Sequence, residues 1–443
     1  MLVYVRTQPI QTMKQLERIK QAMKSFTPIL LGSDINVYGM ARSFHEAYGI
    51  KVQAWGASTL APTRYSNIVD IEVHPGFTED PAFIEVMREK IKEYQDHPEP
   101  VILISCGDGY SELLAKHKAE LEKAFIVPYI NYDLLEKLIS KEGFYEVCEE
   151  YGLPYPKTHI ITMKNYQDGS YENVPFPFPV ALKPEDPVSW LDVQFEGRKK
   201  AFVIKDFAEF KDIVGKIYAN GYKEDLILQD FIPGDDSNMR VLNAYVDKNH
   251  KVKMMCLGHP LLEDPDPIAI GNYMVIAPDY DEQLYQTVQA FLEKIHYTGM
   301  ANFDIKYDRR DGIYKFFEIN LRQGRSSFYV TLNGYNLAKW YIDDYVEDSL
   351  KDRATVYGNK DRAGHMLWLG VPRKLFEEYV VPSPAKDEAM ELLKEGKYGT
   401  TVFYDKDRNF KRWLLMKHMY HNYFKDYQTY FKVNKEQYFS QNK

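Results

Sequence analysis

Apolar runs and amphipathic stretches take turns along the first part of the chain. Pro28-Ile-Leu-Leu31 reads as a short strand, closed by Gly32-Ser-Asp-Ile-Asn36. Met40, Phe44, Ala47 and Tyr48 then recur on one face of a predicted helix, which Gly49 ends. Lys51-Val-Gln-Ala-Trp55 and Val101-Ile-Leu-Ile-Ser-Cys106 are further strands. Gly107-Asp-Gly109 and a helix from Ser111 to about Lys123 follow the second of these. This alternation over residues 27–130 predicts a parallel, Rossmann-like sheet. Residues 1–26 are polar, with Met13, Leu16 and Met23 at loosely helical spacing, and read as an N-terminal extension.

The pattern then changes. A helix from Ser140 to Tyr151 is stopped by Gly152, and Pro154 and Pro156 forbid its continuation. Val180-Ala-Leu-Lys183 and Leu226-Ile-Leu-Gln229 are strands, with a helix near Phe207–Tyr218 between them. From Asn238 to Tyr329, strands separated by short turns predict an antiparallel sheet, interrupted by a helix over 282–296. The expected architecture is α/β: a parallel pre-domain (27–130), a two-part α+β domain (131–345) and a C-terminal helical or mixed extension (346–443).

Composition narrows the function. The chain has 443 residues, 45% hydrophobic and 27% charged, with a net charge of −8. That excludes a nucleic-acid binder driven by bulk positive charge. Cys106, Cys148 and Cys256 lie far apart and form neither a disulfide framework nor a metal motif, so a reducing, cytoplasmic setting is expected. The first residues lack the apolar core of a signal peptide, and no run approaches the ~18 apolar residues of a membrane span.

Candidate chemistry concentrates on one predicted hairpin, Ala301-Asn-Phe-Asp304 to Glu318-Ile-Asn320-Leu-Arg322, turning at Asp311-Gly312. Alternate strand residues share a face. Glu318, Asn320 and Arg322 therefore project together, with Phe317, Ile319 and Leu321 expected toward the core. Asp304 shares a face with Asn302 and Lys306. Two carboxylates and an amide oxygen form a hard, oxygen-only donor set, suited to magnesium on nucleotide phosphates. Lys183 ends an apolar strand. Lys141 opens a helix, where a cation opposes the dipole unless an anion sits beside it. Gln229-Asp-Phe-Ile232 could act as an extended hinge, with Asp236 just beyond. Arg322-Gln-Gly-Arg325-Ser-Ser327 places guanidinium and hydroxyl groups beside the carboxylates, a set suited to a carboxylate and an acyl phosphate. His259 and Arg240 are weaker candidates for substrate contact. No phosphate-binding GxxxxGK[ST] or GxGxxG loop is present.

Taken in order, these pieces resemble the ATP-grasp superfamily. The resemblance implies that Lys141 and Lys183 hold ATP phosphates and that the Asp230 carbonyl and Ile232 amide, with Gln229, read adenine. It also implies that Asp236 holds ribose, that Asp304, Glu318 and Asn320 bind Mg2+ (or Mn2+), and that Arg322 stabilises the transferred phosphate. The lid segment, Glu196-Gly-Arg-Lys-Lys200, departs from the usual glycine-rich form, and Arg198, Lys199 and Lys200 could offer charge in place of backbone amides. Leu30 to Arg42, Phe195 to Phe202, Gln229 to Arg240 and Asn320 to Ser327 further resemble the bacterial D-aspartate ligase family. That resemblance implies activation of the D-aspartate β-carboxylate and attack by the lysine ε-amine of UDP-MurNAc-pentapeptide. Arg240, His259, Arg325 and Ser326 are then candidates for the substrate sites. A ligase for another amino acid and amine, or an ATP-binding sensor without chemistry, remain alternatives.

The net charge is uneven. Residues 405–443 hold nine Lys/Arg and four Asp/Glu, net +5, leaving −13 for the rest. Many aromatics fall in the same stretch. Such a tail packs on the acidic body, or it meets an anionic precursor or a membrane face.

Overall fold

A computed structural model describes residues 24–431, apart from Pro187, Val188, Lys200, Asp235, Pro267, Ile268 and Ile270 and the side chains of Leu191 and Asp236. Three sheets organise it. In the first, β1 (Thr27–Leu31), β2 (Val52–Gly56), β3 (Val69–Val73) and β4 (Val101–Ser105) run parallel in the order β3-β2-β1-β4. Helix α1 (Ile35–Tyr48) links β1 to β2, α2 (Ala82–Tyr94) links β3 to β4, and α3 (Asp108–Lys116) follows β4. The α3 helix begins three residues before the expected Ser111 and ends at Lys116, a break from the single helix expected through Lys123. The strand order puts β1 and β4 side by side while the chain leaves them in opposite directions. Such switch points leave a crevice at the carboxyl ends of the strands.

The second sheet is antiparallel, in the order β5-β8-β6-β7, from β5 (Thr158–Ile161), β6 (Val180–Pro184), β7 (Phe202–Ile204) and β8 (Leu226–Asp230). Ahead of it, α4 (Tyr132–Ile139) and α5 (Lys141–Tyr151) form a helical hairpin. Ser140 caps α5 at one end, and Gly152, at φ 73°, closes the other as its sequence position indicates. Helix α6 (Phe207–Ala219) contributes Phe210, Val214 and Ile217 to this sheet's core.

The third sheet is the largest. Strands β9 (Met239–Val246), β10 (Val252–Glu263), β11 (Tyr273–Asp279), β12 (Gly299–Asp308) and β13 (Ile313–Asn320) pair in the order β13-β12-β9-β10-β11. One face, with Leu242, Phe303 and Ile305, packs on α5 and α7 (Glu282–Lys294). The other, with Val241 and Tyr245, packs toward α1 and α8 (Leu337–Tyr345). The stretch expected as an extension also completes this sheet. Short strands β14 (Val356–Tyr357), β15 (Leu367–Leu369) and β16 (Tyr398–Gly399) pair with β10, β11 and β15 in turn. Helices α9 (Arg373–Tyr379) and α10 (Pro384–Lys394) cover them.

The last α-helix among the described residues, α11 (Phe410–Asp426), is fastened to the layer of the first sheet around a buried ion pair. Arg412 lies 3.2 Å from Asp407 and 3.9 Å above the Tyr38 ring. Asp407 also accepts from the Tyr38 hydroxyl (2.9 Å), Ser66 Oγ (2.8 Å) and the Asn67 amide (2.6 Å).

Candidate active site

Asp304 and Glu318 stand opposite one another on β12 and β13, with Asn302 and Asn320 as the next pair. Val241 is the partner of Asp304 on β9 and packs in the core toward the first sheet, so the carboxylates are on that face. The Tyr273 hydroxyl donates to Asp304. Burial, then the charge of Glu318, push the Asp304 carboxyl well above the usual range.

The ladder slips beside this pair. Asp304 pairs with Glu318 but Ile305 pairs with Phe316, which leaves Phe317 as a bulge. Phe316 therefore takes the core position expected for Phe317, and Phe317 turns toward the second sheet. The Lys183 ammonium lies 5.7 Å from its ring centroid, and the Tyr145 hydroxyl donates to its carbonyl at 3.0 Å. Lys141, the first residue of α5, is close enough to Glu185 to lower that carboxyl against the larger effect of burial. Glu185 directly follows β6, so Lys141 and Lys183 approach the same strand end.

The hinge is braced from two sides. Arg310 grips the Asp230 carboxylate with two bonds of 2.9 Å and reaches Asp308 at 2.7 Å, tying the hinge to the β12–β13 turn. The Gln229 side chain is buried and donates to Tyr145 and Thr158 at 2.9 and 2.8 Å. It braces the hinge from within, and Ile232 is buried beside it. Asp236 opens a 3-10 turn, but its side chain lies outside the described residues. In the lid, Arg198 stacks on Trp190 at 5.2 Å and donates to its carbonyl at 2.6 Å, with Lys199 half-buried next to it. Lys200 lies outside the described residues.

The first sheet supplies the other wall. Asp34 caps α1 just beyond β1, and Asp108 opens α3 just beyond β4, so both flank the switch-point crevice. Arg322 reaches Asp108 at 2.5 Å, the Asn320 oxygen at 3.4 Å and the Gln323 carbonyl at 3.1 Å. Gln323 donates to the Ser105 carbonyl (2.8 Å), and Asn36 donates to the carbonyls of Cys106 (3.0 Å) and Gln323 (2.8 Å). These bonds sew the 320–327 loop onto the crevice. Gly324 permits the fit, since a Cβ there would lie 2.8 Å from Asn302 Oδ1. Arg325 donates to the Tyr423 hydroxyl at 3.3 Å. Its charge opposes the rise that burial imposes on the Asp34 and Asp264 carboxyls. Ser326 is buried alongside.

Two candidates go elsewhere. Arg240 is the register partner of Ile305 and so lies on the opposite face from Asp304, paired with Asp279 at 2.5 Å. His259 bonds the Ser237 carbonyl at 2.7 Å. The structure does not bring Arg240 to the carboxylate pair. Sequence reasoning missed Tyr273, Asp34, Asp108, Asp264 and Tyr423. A signal existed for Asp34 and Asp108, since each follows a strand in a glycine-containing turn.

The donor set fits a divalent cation. Asp304 and Glu318 crowd each other, Asn320 adds an amide oxygen, and all donors are hard. Arg322 Nε and Asn302 Nδ2 are buried without a hydrogen-bond partner, so donors for anionic oxygens remain beside the carboxylates. Together the groups can hold a phosphorylated nucleotide, an activated carboxylate and an incoming amine.

No family model matches the chain. The D-aspartate ligase of Enterococcus faecium (strain Aus0004) is 60% identical over 412 residues, covering 93% of this chain and 98% of that protein. The L-amino acid ligase of Bacillus licheniformis aligns with a TM-score of 0.50 at 14% identity, over 75% of both chains. The Staphylococcus aureus N5-carboxyaminoimidazole synthetase, solved with ADP, aligns with a TM-score of 0.53 at 12% identity, over 76% of this chain and 79% of that one. At such identity the two structures establish the fold alone, that of ATP-grasp ligases.

Proposed function

The chain belongs to the D-aspartate ligase family and is a ligase, and on that premise we propose that it joins the β-carboxylate of D-aspartate to the ε-amine of lysine in UDP-MurNAc-pentapeptide, using ATP. The supporting observation is the Asp304–Glu318 pair beside Arg322, whose guanidinium spans from Asn320 to Asp108 on the first sheet.

In this reading a β-carboxylate oxygen attacks the γ-phosphorus, and the bond to the bridging oxygen breaks to release ADP. The neutral amine then attacks the acyl carbon, phosphate leaves, and the excess proton passes to solvent. A bound Mg2+ would offset phosphate charge at Asp304, Glu318 and Asn320. Lys141 and Lys183 bind and orient the phosphates, with Arg198 and Lys199 available from the lid. Arg322 meets the charge that develops on the transferred group. The Asp230 carbonyl and Ile232 amide, held by Arg310 and Gln229, read adenine, and Asp236 holds ribose. Arg325, with Ser326 beside it, recognises the α-carboxylate of the amino acid.

The test is an ADP-release assay with D- or L-aspartate, with and without the precursor, and with hydroxylamine to trap an acyl phosphate. D-aspartyl β-hydroxamate formation and precursor-dependent turnover are expected. Trapping a different carboxylate, or no ADP with any acceptor, would overturn the reading.

A further inference from the structure

The first two turns of α11 are unusual for a surface helix. Phe410 is 73% exposed, Trp413 48% and Leu414 47%. Two further exposed apolar residues, Leu60 and Tyr65, belong to the loop that this helix touches. Lys411 lies 5.7 Å from the Tyr65 ring, and Arg412 donates to the Pro62 carbonyl at 3.1 Å. Five of the ten large hydrophobic residues exposed among the described residues therefore gather at one spot. The Phe410 and Trp413 rings stack at 6.1 Å, and Lys417 lies 5.7 Å from the Trp413 ring.

The charge there has one sign. From Arg408 to Lys425 the sequence holds five Lys/Arg and no Asp/Glu. Arg412 is neutralised by Asp407 beneath the helix, while Arg408, Lys411, Lys417 and Lys425 are exposed. No acidic residue occupies the first turn of α11, where two cations instead oppose the helix dipole. Cations placed against the dipole beside exposed aromatics suit an external anionic partner.

We propose that this patch docks the enzyme on an anionic lipid bilayer. Aromatic and leucine side chains enter the headgroup boundary while lysines and arginines meet lipid phosphates. Charge argues against the other occupants. A second copy would set one cationic patch against another. The chain's own terminal segments are cationic too. Residues 1–23 carry four Lys/Arg and one Glu, and residues 432–443 carry three Lys and one Glu. The acidic remainder of the molecule would turn away from such a surface and orient the docked chain. No helix among the described residues is long and apolar enough to cross a membrane, so contact here is peripheral.

Sedimentation of the full chain with vesicles tests this independently of catalysis. Vesicles of phosphatidylglycerol and phosphatidylcholine should carry the protein down, and phosphatidylcholine alone should not. Binding to the anionic vesicles should fall at least tenfold in 0.5 M salt. It should fall as much in Phe410→Ser/Trp413→Ser/Leu414→Ser and, separately, in Lys411→Glu/Lys417→Glu. Circular dichroism and ADP release without vesicles should match wild type in both variants. Absence of vesicle binding, equal binding to neutral vesicles, or unchanged binding in both variants would overturn the proposal. A raised KM for the UDP-linked precursor without vesicles would reassign the patch to that anion and overturn it equally.

Discussion

The carboxyl groups of Asp304 and Glu318 are held together across two antiparallel strands, with the Tyr273 hydroxyl bonded to Asp304. Two anions this close are tolerable only with a proton or a cation between them. Burial and Glu318 raise the Asp304 pKa, so the folded chain keeps a proton that the unfolded chain gives up. Stability without divalent cations therefore falls as pH rises from about 4 toward that raised value.

Asp304→Asn removes this linkage. In EDTA, the variant should melt above wild type at pH 8 and close to it at pH 5, while ligase activity drops at least ~100-fold. Adding Mg2+ should raise the wild-type Tm more at pH 8 than at pH 5, and should barely move the variant. A variant with the same pH slope as wild type would refute the shared proton.

Arg322 contacts Asp108, Asn320 and the Gln323 carbonyl at once. An ammonium cannot reproduce that fork. Arg322→Lys should lower kcat about 100-fold and leave the KM for ATP within about threefold. Steady-state kinetics decides it, and equal losses in both constants would mean that Arg322 only binds.

Tyr273→Phe deletes the hydroxyl that orients Asp304. The Mg2+ concentration giving half-maximal activity should rise about tenfold, with kcat at saturating Mg2+ largely kept. A titration of activity against Mg2+ reads this directly.

The Arg412–Asp407 pair is a matter of stability. Arg412→Met should cost about 3–5 kcal/mol, because Asp407 stays buried and charged. Arg412→Met/Asp407→Asn should cost less than the two single changes together. Urea unfolding of the four forms gives the coupling, and strict additivity would contradict it.

Most of the framework was legible in the residues. The α5 helix between Ser140 and Gly152 and the hairpin turning at Asp311-Gly312 follow from capping and turn chemistry. Other features depend on partners that a strand pattern does not identify. The bulge at Phe317 exchanges two adjacent phenylalanines between core and cleft, and both satisfy the same alternation. The face of Arg240 depends on its register with Ile305. The nearness of Asp34 and Asp108 depends on the order of strands in the first sheet. Strands β14 to β16 are two or three residues long, too short for a period to show.

Those short strands also bear on synthesis. The β11 edge ends at Asp279, and β15, which covers it, is reached about 90 residues later. At ~5–20 residues per second a ribosome needs roughly 5–18 s to span that interval. During that time Tyr273–Asp279 presents an open apolar strand edge to its surroundings. A nascent chain stalled near residue 345 would hold both Asp304 and Glu318 and still be a template for aggregation.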